Sequence, residues 1–269
     1  MPRRCTLRKW RTGSTIFLGF AYREGSRRKI PIFITFKDRI TYLVETIRAL
    51  HRNIRTPFEI VIIDDTSTFP AAVQFVERLV DSKVTVLRVP QYESGKFDSL
   101  YAVIARMITE YMKERSKADY FVWTDPDVPL DSAPGDILEV YAAALEGLEA
   151  HNVGAAIRND NWTEDMRDNK HGNEQDFIKL PASCFVYREI CYYYIHASID
   201  TTFAMYRRNT VLQRLVGPTA RMLSPLAVHH LDYLIDKTKI PEDVKYYVKR
   251  TKGDITHSWF KDHVEKSPS

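Results

Sequence analysis

The chain has 269 residues, 44% of them hydrophobic and 28% charged, an ordinary globular composition long enough to bury a core without disulfide or metal staples. Three cysteines (Cys5, Cys184 and Cys191) are too few and too odd in number for a disulfide framework, no CxxC pair suggests zinc, and a reducing, cytoplasmic compartment fits. No apolar run approaches the roughly 18 residues needed to span a bilayer, and no RRM, KH or zinc module supports a nucleic-acid partner.

Charge is unevenly placed. Residues 1–29 carry nine Lys/Arg against the single acid Glu24, a net +8, which leaves −4 for the rest of the chain. This segment is expected to be a solvated basic arm able to touch an anionic membrane peripherally. Within it, Thr15–Tyr22 (TIFLGFAY) is too short for a span and reads as a strand or packing segment.

From residue 30 the rhythm becomes strand and helix in alternation. IPIFITF (30–36) is an apolar, β-branched run of the kind buried on both faces of a sheet. Residues 39–52 set Tyr42, Leu43, Ile47 and Leu50 on one helical stripe. FEIVIID (58–64) predicts a second strand, 71–79 a helix, VTVLRV (84–89) a third strand and 97–115 a long amphipathic helix. DYFVWT (119–124) predicts a fourth strand, followed by a helix over 135–150. This order predicts an α/β fold with a mostly parallel central sheet and helices on both faces, whose ligands bind beyond the strands' carboxyl ends. The second half is less regular: a strand at 153–158, a polar loop at 159–181, an aromatic strand-like run at 184–195, IDTTFAMYR (199–207), a Pro/His-rich stretch and a polar helix at 241–251.

The sharpest chemical signal follows the fourth strand. In Thr124-Asp125-Pro126-Asp127, two carboxylates one residue apart stand at the carboxyl end of a buried strand. Such a pair can share a hard cation, Mn²⁺ or Mg²⁺, which relieves their mutual repulsion and bridges phosphate oxygens. Asp64 and Asp65, after the second strand, can accept hydrogen bonds from a nucleotide's N–H or O–H groups, or cap a helix. Thr35 and Arg39 lie near the same edge, where Arg39 can pair with phosphate or stack on a base. Ser94-Gly95-Lys96 precedes the third helix, where backbone N–H groups and Lys96 can receive an anion, although no P-loop pattern is present.

Together these segments resemble a GT-A glycosyltransferase of the family-2 type. PIFITFKDR is similar to that family's opening strand, IVIIDDTST to the segment after its second strand, and YFVWTDPDVPL to its metal-binding strand, with Thr66 where a glycine commonly sits. The resemblance covers residues 30–150 most clearly and extends more loosely through IRNDN (157–161) and IDTTFAMYR. It implies one GT-A domain over 30–269, divided into a nucleotide-binding half (30–150) and an acceptor-side half (151–269). It further implies metal-dependent transfer of a sugar from a nucleoside-diphosphate donor, a UDP-sugar by family habit, to a glycan or other hydroxyl acceptor in polysaccharide synthesis, with inversion. Such a transfer needs an acidic general base after the DxD motif. Asp200 is favoured over Asp160 and Asp176, and Asp160 with Arg158 is an alternative sugar contact. A late histidine is expected as a third metal or diphosphate contact, with His257 first and His230 as the alternative. Trp162 is the one aromatic assigned to stack on a sugar.

Three other readings stand beside this one. Asp125-Pro-Asp-Val also fits the nucleophile motif of a haloacid-dehalogenase-like phosphatase, with Asp125 as nucleophile, although that motif normally opens its domain. A sugar-phosphate nucleotidyltransferase would need a Gly-rich N-terminal loop that is missing. A protein that binds a nucleotide sugar without turning it over is the non-enzymatic alternative.

Overall fold

The computed structural model describes residues 8–12, 15–19, 28–81, 84–90, 97–162, 174–177, 179–212, 217–236 and 239–250. Its framework is an eleven-stranded sheet flanked by helices. In chain order the strands are β1 (Arg8–Thr12), β2 (Thr15–Gly19), β3 (Ile30–Phe36), β4 (Phe58–Asp64), β5 (Thr85–Arg88), β6 (Tyr120–Thr124), β7 (Asn152–Ala155), β8 (Ser183–Tyr187), β9 (Ile190–Ile195), β10 (Ala204–Arg207) and β11 (Thr219–Met222). The helices are α1 (Ile40–Asn53), α2 (Pro70–Asp81), α3 (Phe97–Glu114), α4 (Ile137–Gly147) and α5 (Glu242–Arg250), with a single turn at Glu174–Phe177 and a 3-10 turn at Leu231–Leu234. No helix among the described residues is long and apolar enough to cross a membrane.

The strands lie in the order β1-β2-β8-β9-β11-β7-β10-β6-β3-β4-β5. The quartet β5, β4, β3 and β6 is parallel throughout, as the βα rhythm requires. Beyond it the sheet is mixed. β10 runs antiparallel to both β6 and β7, β11 is parallel to β7, and β9 and β8 continue as an antiparallel hairpin. The expectation of a mostly parallel sheet therefore holds for the first half alone. Segments linked by tight turns, such as β8 and β9, must pair antiparallel. Residues 8–12 and 15–19, expected in a solvated arm, are strands paired antiparallel, and β2 pairs in turn with β8, which leaves β1 at the sheet edge.

β3 shows why its sequence is a continuous apolar run. Ile32, Ile34 and Phe36 face the core shared with α1, α2 and α4. Phe33 faces the opposite core beneath α3, where it meets Tyr111 and Phe121 edge-on. A strand covered on both faces leaves no side for polar residues. A third, smaller cluster joins Tyr42 of α1 to Ile157, Trp162, Ile240, Val244 and Val248, and so ties the C-terminal segment to the start of α1.

Two carboxylates fasten the helix starts on this side. Asp38, buried with φ of +57°, accepts from the backbone N–H groups of Thr68 and Phe69 just before α2. Asp243 of α5 accepts from the Thr41 backbone N–H at 2.6 Å and from its hydroxyl at 3.0 Å, satisfying the first turn of α1. Removing a buried cap leaves its donors unpaired. Asp38→Ala is therefore expected to cost about 1–3 kcal/mol of stability, measured as a lower urea midpoint at unchanged slope.

The cysteines depart from expectation. Cys184 and Cys191 come together within the β8–β9 hairpin as a disulfide, Cα atoms 5.7 Å apart. Sequence spacing gave no reason to pair them, because only the tight turn at Arg188-Glu189 brings the two strands together.

Candidate active site

The carboxyl ends of β3, β4 and β6 lie side by side, and the loops that follow them form one edge. Phe36 pairs with Asp64 across β3 and β4, and the Asp65 backbone N–H donates to the Phe36 carbonyl at 2.8 Å. Asp64 Oδ1 accepts from the Ser67 backbone N–H at 3.0 Å, and Asp65 Oδ2 pairs with Lys37 Nζ at 3.1 Å. Asp64 thus closes the loop after β4 and does not cap α2, which begins at Pro70. Thr66, which stands where the resemblance expects glycine, sits at φ +53°, a left-handed conformation costly for a β-branched side chain. The Thr35 hydroxyl accepts from Trp123 Nε1 at 2.8 Å, so this candidate braces the metal-motif strand. Lys96 and His257 lie outside the described residues.

The Asp125-Pro126-Asp127 segment is held at three points. The Asp125 backbone N–H donates to the Thr201 carbonyl at 3.2 Å, the Thr46 hydroxyl donates to the Pro126 carbonyl at 2.7 Å, and the Leu231 N–H donates to the Asp127 carbonyl at 2.8 Å. The Thr201 hydroxyl also donates to Asp125 Oδ2 at 2.5 Å. The loop carrying Asp200 is thereby pinned beside Asp125, and the loop carrying His230 beside Asp127. His230 Nδ1 is 3.5 Å from Asp127 Oδ2, and its ring stacks on Tyr233 at 4.6 Å. One ligand atom from each of Asp125, Asp127 and His230 lies within 4.8 Å of the others.

This donor set fits a hard divalent cation with some room for nitrogen, such as Mn²⁺ or Mg²⁺. The electrostatics agree. Burial, then the neighbouring Asp127, pushes the Asp125 carboxyl up to about 7 without a metal. Burial raises Asp232 to about 6, against the pull of Arg39. A raised folded-state value makes the protonated form the stable one. The stability Asp125 contributes without metal is therefore full below the unfolded carboxylate range and lost as pH rises towards 7. In chelator, Asp125→Asn is expected to melt higher than the unsubstituted protein at pH 8, by several degrees, and to match it at pH 4. A melting series across that range checks the sign.

Arg39 is engaged inside the protein. Its Nη1 donates to Asp127 Oδ2 at 3.0 Å and to Asp232 Oδ2 at 2.8 Å, beneath the ring of Tyr247 at 4.7 Å. Burial works against its charge, but Asp127 and Asp232 outweigh burial and hold its pKa above the usual arginine value. Asp232 was missed by sequence reading, because its only signal is a partner 193 residues away.

The remaining candidates separate. Asp160 is exposed and forked by Arg158 Nε at 3.1 Å and by Nη2, with His229 at 3.5 Å. The Arg158 hydrogen bond holds its carboxyl down to about 2. Asp176 pairs with Lys179 on an exposed turn. Trp162, expected to stack on a sugar, is instead a buried core residue packed edge-on to Tyr233 at 5.5 Å.

A cluster of two carboxylates and a histidine that could hold a cation thus lies beyond the carboxyl end of β6 in a helix-flanked α/β sheet. Residues 32–214 match the model of glycosyl transferase family 2. The chain belongs to that family and is a glycosyltransferase with the α/β architecture that the GT-A resemblance implies. The family match sets aside the phosphatase reading of Asp125. No curated protein matches the chain in sequence. Among solved structures, TarS residues 1–349 from S. aureus is 14% identical, with 88% of this chain aligned to 68% of that one at a TM-score of 0.46. The mannosyltransferase PcManGT from Pyrobaculum calidifontis, in complex with GDP-Man and Mn²⁺, is 18% identical over 50% of this chain and 37% of that one, with a TM-score of 0.35. Glucosyl-3-phosphoglycerate synthase from Mycobacterium tuberculosis, in complex with Mn²⁺, UDP and glucosyl-3-phosphoglycerate, is 15% identical over 49% and 45%, with a TM-score of 0.34. The chain thus spans less than half the length of the last two.

Proposed function

We propose that the protein moves a sugar from a nucleoside-diphosphate sugar, a UDP-sugar in the first instance, to a hydroxyl of a glycan acceptor with inversion. The observation that carries this reading is the convergence of Asp125, Asp127 and His230 to within 4.8 Å in a family-2 chain. When bound there, Mn²⁺ or Mg²⁺ would neutralise the charge that develops on the departing diphosphate.

The chain's own residues supply the rest. Asp64 and Asp65, at the carboxyl end of β4 where they meet Ser67 and Lys37, accept hydrogen bonds from the base and ribose in this reading. Asp200 stands beside Asp125 on the loop that Thr201 pins, and it is the base in this reading. It takes the acceptor's proton as that oxygen bonds to the anomeric carbon, while the bond from that carbon to the diphosphate oxygen breaks and its electron pair leaves with the nucleotide. Thr201 is a positioning residue that keeps this loop and the metal motif in register.

The test is nucleotide release from a panel of UDP-, GDP- and dTDP-sugars with Mn²⁺ and candidate acceptors. One donor is expected to be turned over, and Asp200→Asn should lower that turnover by about 10²–10⁴-fold with donor affinity little changed. Full turnover by Asp200→Asn would remove Asp200 from the mechanism, and turnover of no donor would remove the reading.

A further inference from the structure

The acidic pocket already contains a guanidinium. Arg39 Nη1 lies between Asp127 Oδ2 and Asp232 Oδ2, and that Asp127 oxygen is the one facing His230. All three charged groups are deep: Arg39 is 8% exposed, Asp127 1% and Asp232 3%. The ring of Tyr247, from α5, and that of Tyr42, from α1, lie 4.7 Å and 5.9 Å from the guanidinium carbon. Carboxylates at this depth need a counter-charge, and a shared hydrogen bond from one nitrogen divides that charge between them.

We infer that Arg39, steered by Asp232, is a positioning residue that sets the affinity of the Asp125–Asp127–His230 pocket for its divalent cation. This rests on the metal reading of that pocket. Without the cation, Arg39 keeps the Asp127 carboxylate neutralised and in place. A cation that arrives at Asp127 meets a positive neighbour, and like charges this close oppose one another strongly where water is excluded. Asp232 draws part of that neighbour's charge to itself and so lightens the opposition.

The two partners therefore act in opposite directions, which damage to packing alone would not produce. Loss of the Arg39 charge strengthens cation binding, while loss of the Asp232 charge leaves Arg39 to Asp127 alone and weakens it. The readout is binding of Mn²⁺ alone to the chelator-stripped full chain, followed by calorimetry and by the rise in melting temperature. Arg39→Met is expected to bind Mn²⁺ about tenfold more tightly and to show a larger Mn²⁺-induced rise from a lower metal-free melting temperature. Asp232→Asn is expected to bind about tenfold more weakly, and Arg39→Lys, which keeps the charge, close to the unsubstituted protein. If Arg39→Met does not fold without metal, Asp232→Asn and Arg39→Lys decide. Binding by Asp232→Asn as tight as that of the unsubstituted protein, or by Arg39→Met no tighter, overturns the inference while leaving the metal site standing. Mn²⁺ uptake unchanged in Asp127→Ala overturns the metal reading and the inference with it.

Discussion

Asp127→Ala is expected to reduce sugar transfer by about 10³-fold or more while leaving the fold standing. The two halves of this expectation come from different contacts. The lost carboxylate supplies one of three ligand positions in the pocket, where a departing diphosphate would need its charge met. The cation it leaves behind is not stranded, because Arg39 still donates to Asp232 at 2.8 Å beneath Tyr247. The backbone anchors of the segment, Thr46 on the Pro126 carbonyl and Leu231 on the Asp127 carbonyl, do not use the side chain. Nucleotide release at saturating donor, with near-unchanged circular dichroism and urea midpoint, checks both halves. Activity within a few-fold of the unsubstituted protein would remove Asp127 from the chemistry.

Arg39→Met has the largest expected effect on stability, about 3–5 kcal/mol in chelator. Methionine fills much of the same volume against Tyr247 and Tyr42, so packing is a minor part of the loss. The main part is charge. Asp127 and Asp232 remain almost fully buried with their shared donor removed, and uncompensated buried carboxylates are what makes breaking such a pair costly. Chemical denaturation at pH 8 in chelator measures the loss. It is expected to shrink as pH falls from 8 towards about 6, because Asp232, raised to about 6 by burial even with Arg39 pulling it down, takes up its proton at higher pH still once the guanidinium is gone. A pH-independent loss would contradict the charge argument.

Much of the first half was legible in the sequence, because a strand buried on both faces must be a continuous apolar run. IPIFITF and FEIVIID became β3 and β4 with the bounds their composition set, and DYFVWT became β6 within one residue. The Asp125-Pro126-Asp127 motif was legible for the same reason: two carboxylates directly after such a run stand out. The second half was harder to read. The β8–β9 hairpin turns at Arg188 and Glu189, both at positive φ, where Asn or Gly would have announced the turn. β11 was hidden in a Pro/His-rich stretch of mixed composition. His230 was readable only as the alternative to His257, since a lone histidine carries no spacing signal. Asp232 and Asp243 could not be read at all, because their partners Arg39 and Thr41 lie 193 and 202 residues away and only the fold brings them together.

The most direct test of the central claim is calorimetric titration of UDP and of competing nucleoside diphosphates into the full chain, in Mn²⁺ and in chelator, repeated with Asp127→Ala. One nucleotide is expected to bind saturably at a single site in Mn²⁺. That binding should weaken by an order of magnitude or more in chelator, and by as much in Asp127→Ala even with Mn²⁺ present. Equal nucleotide affinity in all three conditions would show that the Asp125–Asp127–His230 pocket does not hold the metal through which a donor diphosphate is bound.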